Sequence, residues 1–125
     1  MLFRSTTPAA QLDVRGDVKL GSTGQYFAAA GSENLRIVRG IVEPTGTNYD
    51  GTGFTITHNS AGNYSITFSP AFADAPALII TAYTAGSPAT ANCTGGTASG
   101  FSSVDTWVGA TKADSWWNFI AIGKR

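Results

Sequence analysis

Apolar and polar residues alternate along most of this chain with a period of two. Leu12, Val14, Val18 and Leu20 alternate with Asp13, Arg15, Asp17 and Lys19, which predicts an extended segment with one apolar face over 12–20. A short piece around Tyr26 and Phe27 is punctuated by Gly21, Gly24 and Gly31. A second extended run, Asn34 to Val42, ends at Pro44 and the TGTNYDGTG stretch, whose composition predicts turns. From Gly53 the alternation is strict. Phe54-Thr55-Ile56-Thr57-His58 and Tyr64-Ser65-Ile66-Thr67-Phe68 flank Asn59-Ser60-Ala61-Gly62-Asn63, the pattern of a hairpin with Phe54, Ile56, Tyr64, Ile66 and Phe68 facing a core.

Two later runs are apolar on both faces. In Ala77–Tyr83, Leu78 and Ile80 lie on one side and Ile79 and Tyr83 on the other; in Trp116–Ile122, Trp117 falls with Phe119 and Trp116 with Ile120. A small antiparallel protein needs two covers for such strands, its own core and a subunit interface. A polar strand near Thr90–Thr94, a turn at Gly95-Gly96 and a strand over Gly100–Val108 lie between them. Spacings of about ten residues and the lack of any helical stripe predict an all-β chain, an antiparallel β-sandwich. The expected division is an extended, shaft-like trimerisation segment over 1–50 and a sandwich head over 51–125. The alternative for the first two strands is that they fold back onto the sandwich of their own chain.

Composition sharpens this picture. Eight Lys and Arg balance eight Asp and Glu in 125 residues, so the basic excess needed to hold a polyphosphate is missing and no nucleic-acid partner is expected. Gly, Ser and Thr fill 42 positions and supply the polarity that charges usually supply. Ten of the sixteen charges lie in 1–50, one (Asp74) in 51–104, and five in 105–125. A neutral block of that length on a free surface invites association, and it predicts contact between copies of the chain, most simply a homotrimer. The interface residues expected are Leu12, Val14, Val18, Leu20, Ile79, Tyr83, Trp117 and Phe119. The N-terminal sequence has no apolar core of signal-peptide length, and the longest apolar runs are too short to span a bilayer as a helix; no membrane insertion is expected.

Several residues carry candidate chemistry. Cys93 is the single cysteine, so no intrachain disulfide or thiolate zinc cluster can form; it is expected as a small buried residue, or at an interchain contact. His58 closes a strand on the same side as Phe54 and Ile56, as a histidine at the edge of a core or in a turn. Three copies meeting an ion at a trimer axis is the alternative. A catalytic His58 would need a serine and an oriented carboxylate beside it. Asn48-Tyr49-Asp50-Gly51 has one acid and predicts a turn, not a calcium loop. Neither an enzyme nor a cofactor is expected. The richer surface is the hairpin carrying Trp107, Thr111, Lys112, Asp114 and Trp116, because aromatic rings pack on the C–H face of a pyranose while polar groups bind its hydroxyls. These five are the expected glycan contacts.

Gly53-Phe54-Thr55-Ile56, Tyr64-Ser65-Ile66-Thr67-Phe68, Phe72 with Pro76 four on, Gly100-Phe101 and Phe119-Ile120-Ala121-Ile122-Gly123 together resemble a C-terminal module of bacteriophage tail fibres and related bacterial fibres. The second half is similar to the H-type lectin fold, and the runs from Leu12 and Asn34 resemble shaft-to-head segments. The resemblance implies a homotrimeric sandwich at a fibre tip, on a virion or extracellular fibre. Its partners would be a cell-surface glycan or protein receptor and an upstream fibre or particle protein. The lectin family's sugar-contact loops do not match residue by residue. The alternative is a structural subunit of an extracellular filament or a virion decoration protein.

Overall fold

A computed structural model describes residues 26–27 and 34–125 of the chain. They form ten β-strands: β1 (Tyr26–Phe27), β2 (Asn34–Val42), β3 (Asn48–Asp50), β4 (Phe54–Ser60), β5 (Asn63–Phe68), β6 (Ala77–Tyr83), β7 (Ala89–Thr97), β8 (Gly100–Val108), β9 (Thr111–Lys112) and β10 (Trp116–Lys124). Two antiparallel sheets result. Sheet A runs β1-β2-β10-β6 with β3 also paired to β2; sheet B runs β4-β5-β8-β7 with β9 paired to β8.

The hairpin and its inward residues form as the alternation predicts. Phe54 pairs with Phe68 and Ile56 with Ile66 across β4 and β5, and β-branched and aromatic side chains suit that half-buried pleat. Gly62, at φ +64, makes the turn, and a Cβ there would press on the Thr106 carbonyl and the Ala113 nitrogen. The core is the layer where the sheets meet. Phe54, Tyr64, Ile66, Phe68, Phe101 and Val104 come from sheet B, and Val38, Val42, Trp117, Phe119 and Ala121 from sheet A. Rings interlock across the layer: Phe54 meets Phe119 edge-on at 4.9 Å, and Tyr64 meets Trp117 at 5.4 Å. Each fully buried aromatic stabilises by about 1.5–3 kcal/mol through area alone.

Two expectations about organisation need correction. The strand at 34–42 belongs to the sandwich: β2 pairs with β10 from Trp117↔Val42 to Lys124↔Leu35 and places Val38 and Val42 in the core. The boundary at residue 50 therefore does not divide the described residues, because the closing strand cannot complete its ladder without β2. The segment 12–20 lies outside the described residues. Gly95-Gly96 is not a turn either. β7 continues through both to Thr97, with Gly96 opposite Phe101 and Thr97 opposite Gly100. Gly96 lies flat against the Phe101 ring, where a Cβ would come within 2.7 Å, so its side-chain absence serves packing.

Candidate functional site

The five expected glycan residues do not share one surface. Trp107 and Lys112 stand opposite each other on β8 and β9, on the outer side of sheet B. Asp105, two residues from Trp107, shares their side. Its Oδ1 receives Lys112 Nζ at 2.7 Å, Asn63 Nδ2 at 2.5 Å and Ser103 Oγ at 3.1 Å. Partial burial alone would raise the Asp105 carboxyl, but these donors outweigh it and hold the group below the ordinary carboxylate range. Thr111 faces the other side of β9 from Lys112 by the alternation of a strand and is exposed.

Asp114 lies at the end of the sandwich and ties three segments together. Its Oδ1 accepts from the Gly62 amide at 2.6 Å, from His58 Nε2 at 2.9 Å and from the Tyr64 hydroxyl at 3.1 Å. The same Tyr64 hydroxyl donates to the Pro44 carbonyl at 2.8 Å, so one proton serves two acceptors. Burial pushes the Tyr64 phenol well above its ordinary value, and the Asp114 charge adds to the shift. Burial would raise Asp114, yet its hydrogen bonds prevail and its acidity is increased. Thr106 sets the loop: its amide donates to the Gly62 carbonyl at 2.9 Å, and its hydroxyl to the Ala113 carbonyl at 2.7 Å. His58 also stacks on Tyr64 with centroids 4.9 Å apart. Its ring thus has a carboxylate partner and lies exposed near the end of β4, outside the buried core. Asp114 is a structural anchor by these contacts, remote in role from the open faces.

Trp116 belongs to the outer face of sheet A. It pairs in register with Tyr83, their rings near parallel at 22° with centroids 6.2 Å apart. Tyr49 of β3 meets the indole edge-on at 5.4 Å and 81°. Tyr49 is 65% exposed and Tyr83 45%. Beside the rings, Thr81 donates to Asn118 Oδ1 at 2.5 Å. Tyr49 also lines a cleft of about 390 Å³ with Ile37, Val38, Arg39, Asn48, Asp50, Gly51 and Thr52. Arg39 Nη1 donates to Asp50 Oδ2 at 2.6 Å across it, and Asn48 Nδ2 holds the Gly51 carbonyl at 3.0 Å. The Asn48–Gly51 segment, expected as a turn, supplies the short strand β3 and this wall.

The rest of that outer face is aliphatic. Ile37 is 68% exposed, Ile79 63% and Ile120 43%, and Ile120 pairs directly with Ile79. The expected interface residues divide here. Ile79 and Tyr83 point outward, whereas Trp117 and Phe119 are 0% and 2% exposed inside the chain's own core. These last two are corrected to core residues: they share the inward face of β10 and the outward one belongs to Trp116 and Ile120. Leu12, Val14, Val18 and Leu20 lie outside the described residues. Cys93 is half-buried against the core, which raises its thiol pKa.

Sequence reading did not bring Tyr49 and Asp50 together with Arg39 on one face, or Asp105 with Asn63 and Ser103 on the other. Each set converges through strand pairing between segments distant in the chain, and no local spacing announces it. Among the described residues, no group of three His, Cys, Asp or Glu side chains is placed to hold a metal ion, and no helix is long and apolar enough to cross a membrane. No protein family, curated protein or solved structure matches the chain.

Proposed function

We propose that this chain is a non-enzymatic, homotrimeric fibre-tip protein that binds a cell-surface glycan and serves in attachment to a host or target cell. The observation that carries the reading is the outer face of sheet A, where three adjacent strands expose Ile37, Ile79, Ile120 and Tyr83 beside Tyr49. A monomer does not usually leave so much contiguous apolar surface uncovered. The aliphatic part suits contact between copies, and the exposed rings suit a sugar. The resemblance to fibre-tip modules supplies the location, a virion or extracellular fibre, and the upstream particle protein as partner.

A glycan array probed with the full chain tests the reading. Binding to a defined set of glycans is expected, and an array blank at high protein concentration overturns it. Trp107→Ala and Trp116→Ala assign the contact to sheet B or sheet A; binding unchanged in both removes the tryptophans from the role.

A further inference from the structure

We infer that the Tyr49, Trp116 and Tyr83 rings, with the Arg39–Asp50 cleft beside them, form a binding site for a neutral pyranose. The inference rests on the glycan-binding reading for its ligand class and adds the place, the contacts and the charge of the sugar.

The rings come from three segments, β3, β6 and β10, and contact one another on an open face. No core packing requires this, since the sandwich layer is already filled from the opposite side of the same strands by Trp117 and Phe119. Aromatic surface left in water is costly, and a ring face of this kind pairs with the C–H face of a sugar. Hydroxyls project from the rim of a pyranose, so its site needs donors and acceptors at the border of the platform. Tyr49 belongs to both the platform and the cleft, and brings the two together. In the cleft, Arg39 spends one N–H on Asp50 Oδ2 and retains others; the carboxylate retains lone pairs. Such a pair offers adjacent donors and acceptors in fixed orientation, the complement of vicinal hydroxyls. Two residues on from Trp116 along β10, Asn118 uses its oxygen to accept from Thr81, which aims the side-chain amide as a fixed polar group.

Charge selects the ligand class. Arg39 and Asp50 cancel, so the cleft has no net cation to hold a sugar carboxylate, and an acidic sugar would set its charge against Asp50. The cleft's volume, about 390 Å³, lies in the range of small-molecule sites. A second copy of the chain is the competing occupant of this face. The aliphatic patch around Ile79 and Ile120 is where a copy gains most: Arg39 stands opposite Ile120 on its β2 side, but the exposed Ile79 and Ile120 side chains, paired with each other, offer no ring face to a sugar.

The test titrates the full chain with methyl pyranosides of glucose, galactose and mannose and with their uronic acid counterparts, read by Trp fluorescence and saturation-transfer NMR. Tyr49→Ala, Tyr83→Ala and Asp50→Asn alter exposed side chains, and a thermal melt checks that each still folds. The expected result is binding of at least one neutral pyranoside, at least about tenfold weaker in Tyr49→Ala and in Asp50→Asn, which corresponds to about 1.4 kcal/mol, and unchanged in Trp107→Ala. Tighter binding of the uronic acid, or binding that survives Tyr49→Ala and Asp50→Asn but is lost in Trp107→Ala, overturns the inference and leaves the glycan-binding reading standing. A wild-type chain that binds no sugar in solution or on the array overturns both.

Discussion

Asp114 shows how one side chain in a nearly neutral protein governs a whole end of the fold. One of its oxygens receives a backbone amide, an imidazole and a phenol, and so fixes the hairpin turn, the Tyr64 ring and the loop before β10 in one place. Ionised acceptors make stronger hydrogen bonds than neutral ones, but solvent reaches about a third of this side chain, which weakens them. Asp114→Ala is expected to destabilise by about 1–2 kcal/mol, measured by urea unfolding at pH 7. The pH dependence has a definite sign. The folded carboxyls of Asp114 and Asp105 titrate below the ordinary carboxylate range, so the unfolded chain binds more protons on acidification. Their contribution is present above about pH 4 and lost as pH falls through the lowered folded values. Unfolding free energies of Asp114→Ala and wild type should converge as pH falls through the lowered folded value of Asp114; a gap as wide in acid as at pH 7 would show that the carboxylate charge is irrelevant.

At the scale of the strand, period two decides nearly everything, and this is the part of the fold that the sequence made legible. In β5, Tyr64, Ile66 and Phe68 are buried while Thr67 between them is exposed, as the alternation alone predicts. Ile66→Ala should cost about 2–5 kcal/mol by leaving a cavity in the core. Thr67→Ala, one position away, should stay within about 0.5 kcal/mol. Urea midpoints at constant slope check the pair, and equal losses would mean that the register is wrong. The two-faced strands were legible as a problem but not in their solution. Residues of β10 alternate between two apolar environments, and hydrophobicity does not say which is core and which is open; only pairing with β2 and β6 turns Trp117 inward and Trp116 outward. The same limit hid β2's membership of the sandwich. Its partner lies about eighty residues later, and no local pattern encodes so distant a pairing. Of the glycan candidates, chain proximity grouped Trp107, Asp114 and Trp116, whereas the sheets do not place them on one surface. Tyr49 joins Trp116 only through the ladder from β3 to β10 by way of β2.

The sparse charge of the middle of the chain acquires a location at the scale of the whole molecule. Among the described residues, β6 is an edge strand of sheet A, and it carries no charged residue from Ala77 to Tyr83. Natural sheets protect such edges with charge, proline or a bulge, and here the edge and the exposed Ile79 coincide with the uncovered face. Both ways of joining copies, face against face and edge to edge, therefore run through Ile79. A heterologous contact that closes gives a ring, and one that does not close gives a filament. The proposed trimer predicts a single species of about 39 kDa, three times the 12.9 kDa chain, in mass photometry or light scattering. Ile79→Lys should yield the 12.9 kDa monomer with little loss of fold stability, because the side chain is 63% exposed within its own chain and a lysine at an edge strand opposes further pairing. A ladder of large species in the wild type, abolished by the same substitution, would select the filament subunit over the fibre tip. A wild-type monomer would leave the aliphatic patch without its partner copy and overturn the assembly part of the proposal, while the ring cluster at the other end of the face would still be testable for sugar by itself.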